Sequence, residues 1–151
     1  MSAAAFSLAV AQEALVVFED RSDARLLRWL RPGFRHCFCL TGGDLRWTLC
    51  DPLKSHLAIA SIDGLTAPDL AVRLSTPGRR VLHGMLGTSD PSPSLGLRPL
   101  TCVEIVKRLI GLQARSVITP YQLYRRLIRP AVGELEFIEL RLGENDFGPV
   151  R

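Results

Sequence analysis

The chain has almost no lysine: Lys54 and Lys107 are the only two among 151 residues, and arginine carries the rest of the positive charge. The arginines are spread along the chain, the formal charge is only +4, and the stretch from Glu134 to Asp146 is acidic. A phosphate-binding surface as the main role is therefore not expected, because such surfaces concentrate positive charge. An Arg-rich coding bias explains the ratio without a nucleic-acid partner. Long apolar runs are missing too. The start, Met1 to Val17, is apolar, but it lacks a basic leading segment and is broken by Gln12 and Glu13, so it does not read as a signal peptide. No stretch is long and clean enough to span a bilayer. No internal repeat and no low-complexity tract is present. The expected setting is reducing and cytoplasmic, or phage-associated.

The length suits one domain, residues 1–151, with residues 1–12 as an arm and 143–151 as a loose tail. Four cysteines, Cys37, Cys39, Cys50 and Cys102, are read as free thiols. Cys37 and Cys39 fall on one face of one strand, and nothing marks the chain as secreted. A zinc site from Cys37, Cys39, Cys50 and His56 is disfavoured, since C-x-C is not the usual structural-zinc spacing and no second paired motif follows. No cofactor or metal is expected.

The pattern alternates short strands and helices. Strands are expected at 14–18, 34–40, 45–50, 56–62 and 80–86, with an edge strand at 134–142. Thr41-Gly42-Gly43-Asp44 is the turn between the second and third. Helices are expected at 22–30, 66–74, 101–111 and 119–130, and 87–96 is a loop by composition. That loop reads equally as a substrate cover and as a plain connection. The fold class is α+β: an antiparallel sheet of about five strands with packed helices.

The chemistry centres on Thr101-Cys102-Val103-Glu104. Thr101 and Glu104 have capping-box spacing, with Leu100 and Ile105 as a hydrophobic staple, so Cys102 opens a helix. A thiol there faces unpaired backbone N–H groups and the positive end of the helix dipole, which favour the thiolate. The helix is expected to bury Cys102, Ile105, Val106 and Leu109 and to leave Glu104, Lys107 and Arg108 in water. Cys102 reads either as a small core residue or as a nucleophile. His36, in the strand Phe34 to Leu40, is the base that the second reading needs, and Asp51, where the hairpin strand ends, is the residue to orient it. Alternation puts His36 with Phe34 and Phe38, and Cys37 and Cys39 opposite. His56 and His83 read as structural strand residues. Arg125, Arg126 and Arg129 read as a solvated face, or as a surface for an acidic partner.

The order His36 before Cys102 resembles the circularly permuted branch of the NlpC/P60 papain-like superfamily, which includes lecithin–retinol-acyltransferase-like proteins and bacterial permuted amidases. The segments Gly33-Phe34-Arg35-His36-Cys37-Phe38 and Thr101-Cys102-Val103-Glu104 carry the resemblance, and they also look like a group of short bacterial and phage-encoded proteins. It implies a permuted papain-like fold with Cys102 as nucleophile and His36 as base. The implied activity is that of a thiol hydrolase or acyltransferase acting on an amide or ester, such as a cell-wall peptide. The hairpin has no second histidine; Thr48, Leu49 and Asp51 stand in that region. The competing expectation is a catalytically silent interaction module on the same fold, with a protein partner.

Overall fold

The structure is a computed structural model that describes residues 12–21, 25–86 and 101–140. Six strands form one antiparallel sheet: β1 (Gln12–Glu19), β2 (His36–Gly43), β3 (Arg46–Pro52), β4 (Leu57–Asp63), β5 (Arg80–Leu86) and β6 (Phe137–Leu140). Their order across the sheet is β4-β3-β2-β1-β5-β6. The sheet is thus one strand wider than the expected five or so. Three helices pack on it: α1 (Ala67–Leu74), α2 (Cys102–Ile110) and α3 (Pro120–Ile128). The segment expected as a first helix forms a single 3₁₀ stretch, Arg25–Trp29. The expected cover loop 87–96, Leu100 of the staple and the tail 143–151 lie outside the described residues.

The run Ala14-Leu15-Val16-Val17-Phe18 is fully buried, because β1 lies between β2 and β5 and both faces of the sheet are covered there. On one face Ala14, Val16, Phe18, Cys37, Cys39 and Leu82 pack under α2 and α3 through Val103, Val106, Ile110, Leu123 and Leu127. On the other, Leu15, Val17, Phe38, Leu40, Trp47 and Val81 meet α1 through Ala67, Leu70 and Ala71. Gly84 admits β6: a Cβ there would stand 2.7 Å from the ring of Phe137, its register partner.

The helix caps follow the sequence closely. α1 and α3 each start in a full capping box with proline in the first turn, Thr66 with Asp69 and Thr119 with Gln122. α2 differs. Thr101 Oγ1 accepts from the Glu104 N–H as expected, and Gly111 ends the helix with φ 72°. The Glu104 carboxylate does not close the box; it binds Lys107 Nζ at 2.9 Å and Arg108 Nε at 3.4 Å. The expected wet side of α2 holds only for Arg108, which is exposed. Glu104 and Lys107 are buried with Val103, Val106 and Ile110, whereas Leu109 is exposed. The β2–β3 turn also shifts. β2 runs on to Gly43, and Asp44 and Leu45 form a two-residue turn with φ of 47° and 66°.

Candidate active site

The site forms where β2 and β3 part. Their register runs from Gly43↔Arg46 to Cys39↔Cys50 and stops there. β2 continues to His36 alongside β1, opposite Glu19, while β3 continues to Pro52 alongside β4, opposite Leu57. His36 and Asp51 therefore lie beyond the last β2–β3 pair. His36 Nε2 and Asp51 Oδ1 are 2.7 Å apart across the opening. Asp51 Oδ2 faces Arg21 Nη2 at 3.4 Å, and Arg21 also approaches Glu19 at 3.7 Å. Glu19 in turn accepts from Arg79 Nε at 2.8 Å. The carboxylate is thus tethered from behind, and the imidazole is tethered to the carboxylate.

α2 brings its first residue to the same place. Cys102 packs against the sheet face that holds Cys37, close enough for the His36 ring and the Cys37 thiol both to act on its sulfur. Alternation along β2 sends His36 and Cys37 to opposite faces. One sulfur meets both because it sits at the strand's free end. The electrostatics follow from these contacts. The Cys37 thiol donates to Cys102 and is the largest influence on it. Burial opposes ionisation, but the His36 ring and the Cys37 N–H outweigh it, and the Cys102 pKa is pulled down from 9.0 to about 5. Burial alone would lower the His36 pKa; the bonds to Cys102 and Asp51 reverse this and raise it above 6.5. Cys37 moves the other way: burial pushes its thiol well above the ordinary value, and the Cys102 charge adds to this. The shifts favour a Cys102 thiolate, a protonated Cys37 and the charged form of His36.

A cavity of about 370 Å³ opens onto Cys102 and His36. Its walls are mostly apolar. Trp29 and Ile118, 75% and 63% exposed, line it with Leu53, and Arg21, Arg35 and Lys54 supply positive charge. A wider cleft of about 890 Å³ beside the β2–β3 turn has neither cysteine nor histidine in its lining.

The wall bearing Ile118 and Thr119 is held by a residue that the sequence reading placed in water. Lys107 is 1% exposed. Its ammonium donates to Ala114 O at 2.9 Å and Val117 O at 3.0 Å and pairs with Glu104. Three donors meet three acceptors, which a lysine satisfies and a planar guanidinium does not. The only signal for it in the sequence was the scarcity of lysine itself. Cys37 and Arg21 were also missed. Strand alternation argued against the first, and nothing in the local pattern pointed to the second.

The weaker candidates fall elsewhere. His56 lies in the turn before β4, not in the strand, and bonds Ser55 Oγ at 3.1 Å. His83 in β5 bonds Glu13 of β1 at 2.7 Å. Cys39 and Cys50 face each other across β2 and β3. Among the described residues, no three His, Cys, Asp or Glu side chains are grouped as metal ligands would be. Arg126 is held in a two-bond pair with Glu134, at 2.8 and 2.6 Å, rather than lying free on a solvated face. No helix among the described residues is long and apolar enough to cross a membrane. Comparison of the chain with protein families, curated proteins and solved structures gives no match.

Proposed function

We propose that the protein is a thiol hydrolase or acyltransferase of permuted papain-like type, acting on an amide or ester, with Cys102 as nucleophile, His36 as acid and base, and Asp51 as the group that orients His36. The observation that carries this is the chain of contacts from Cys102 to His36 to Asp51, with the last step at 2.7 Å. Asp51 occupies Nε2, which leaves Nδ1 as the nitrogen to exchange a proton with the sulfur. The thiolate attacks the acyl carbon. The oxygen that becomes negative lies near the start of α2, where the Cys102 N–H is one of the first-turn donors left without a helical partner. His36 then gives its proton to the departing amine or alcohol, leaving a thioester on Cys102. An incoming water or other acceptor loses a proton to His36 as it attacks the thioester, and Cys102 is released. The apolar cavity walls suit the acyl portion of the substrate. An amide of a cell-wall peptide remains the proposed natural substrate, on the strength of the resemblance.

The test is to trap the thioester. An activated ester such as p-nitrophenyl acetate is mixed with the protein, which is quenched in acid and mapped by mass spectrometry. An acetyl group on Cys102, lost with hydroxylamine and absent from Cys102→Ser, is expected. In His36→Ala, acylation should fall by at least about a hundredfold, the usual scale for a lost acid–base group. A folded protein that acetylates no faster at Cys102 than at Cys50 would point instead to a silent interaction module.

A further inference from the structure

We infer that Cys37 and Cys102 form an oxidisable dithiol, in which Cys102 is the site of attack on a hydroperoxide and Cys37 the resolving thiol. The inference goes beyond the hydrolytic reading and does not depend on it. Hydrolysis needs only one sulfur, yet Cys102 packs on the core cluster that contains a second thiol, Cys37, which acts directly on its sulfur. The two differ in access. Cys102 is partly exposed and lines the cavity, whereas Cys37 is fully buried beneath it in the core under α2. A hydroperoxide can therefore reach Cys102 and not Cys37.

The division of labour follows from ionisation. Cys102 is held as the thiolate, the form that attacks peroxide oxygen, while Cys37 is held as the thiol. The Cys102 sulfur takes one oxygen from hydrogen peroxide, the O–O bond breaks, and hydroxide leaves. Cys102 is then a sulfenic acid and carries no negative charge. One influence that kept Cys37 protonated, the neighbouring Cys102 charge, is thereby removed. The Cys37 sulfur attacks the Cys102 sulfur, the S–O bond breaks, and water leaves as the Cys37 proton is passed on. In total two thiols and one hydrogen peroxide give one disulfide and two waters. The closure requires the two sulfurs to approach to about 2 Å.

The disulfide would take the nucleophile out of use and protect it from irreversible oxidation. The other sulfur pair on this face, Cys39 and Cys50, is the internal competitor. These residues are direct partners across β2 and β3, but both are buried and neither lines the cavity.

The experiment treats the full chain with a small excess of hydrogen peroxide, blocks free thiols with iodoacetamide in denaturant, and maps the peptides without reductant. The expected product is a peptide pair joined through Cys37 and Cys102, two hydrogens lighter than the sum, with nearly all Cys102 recovered by dithiothreitol. Since Cys37 and Cys39 share a tryptic peptide, Cys39→Ser should keep the link. Cys37→Ser should lose it and send Cys102 on to sulfinic acid that dithiothreitol does not restore. If Cys37→Ser fails to fold, fragmentation of the wild-type linked peptide still assigns the bond. A Cys39–Cys50 link, a link between two chains, or sulfinic acid at Cys102 beside an alkylated Cys37 would each overturn the inference. A chain that never acetylates at Cys102 yet forms the link retains this inference and loses only the hydrolytic one.

Discussion

At the residue scale the sign of each titration fixes a pH window. The folded Cys102 pKa of about 5 lies below its ordinary 9.0, so the thiolate stabilises the fold fully above the ordinary value and loses that contribution as pH falls through about 5. His36 is raised, so its contribution is complete below its ordinary 6.5 and is lost as pH rises through its folded value. The ion pair therefore occupies the interval between about 5 and that raised value. Urea titrations of wild type and Cys102→Ser across this range check the direction: the wild type should lose stability relative to the variant as pH approaches 5. A second expectation concerns Cys37. Removing the largest stabilising contact with Cys37→Ala should move the Cys102 ionisation upward, whereas Cys37→Ser, which keeps a donor, should move it less. Ultraviolet absorbance of the thiolate reads both. His36 itself is buried, so His36→Ala should cost about 1–3 kcal/mol of stability, by denaturant unfolding, in addition to any loss of activity.

At the scale of elements, α2 shows where pattern reading succeeds and where it fails. Its start at Cys102, its Thr101 cap and its Gly111 stop all rest on local chemistry that the sequence carries openly. Its buried face does not. Glu104 and Lys107 look like an exposed pair, and only the chain returning through Ala114 and Val117 supplies the carbonyls that make burying the ammonium feasible. Lys107→Met should leave both carbonyls unpaired and cost about 3–5 kcal/mol, the range for removing one partner of a buried pair. Lys107→Arg should also destabilise, since the fork cannot satisfy three converging acceptors. Thermal unfolding distinguishes both from a solvated lysine, whose loss would be nearly silent. The β2–β3 turn gives the opposite sign. Leu45 sits at φ 66°, where a side chain is strained, so Leu45→Gly should stabilise by about 1 kcal/mol.

At the scale of the whole molecule, most strands were legible because β1, β2 and β5 are apolar runs or alternations bounded by turn residues. The edge strand near 134–142 was legible as well, and it is β6. The candidate site was legible only in its members. Cys102, His36 and Asp51 are singled out by cap, residue type and order, but their meeting depends on β2 and β3 ceasing to pair after Cys39 and Cys50, so that His36 and Asp51 face each other across a gap. Nothing local encodes where a ladder ends, and it is His36, on the face opposite Cys37 and α2, that needs the gap to reach the sulfur. The central claim is that this convergence holds Cys102 as a ready thiolate. The direct measurement is the rate of Cys102 alkylation by iodoacetamide as a function of pH, followed peptide by peptide in the native protein. The account predicts an inflection near pH 5 and labelling of Cys102 well ahead of Cys37, Cys39 and Cys50 at neutral pH. An inflection near 9, or a Cys102 no faster than the three buried cysteines, would contradict it.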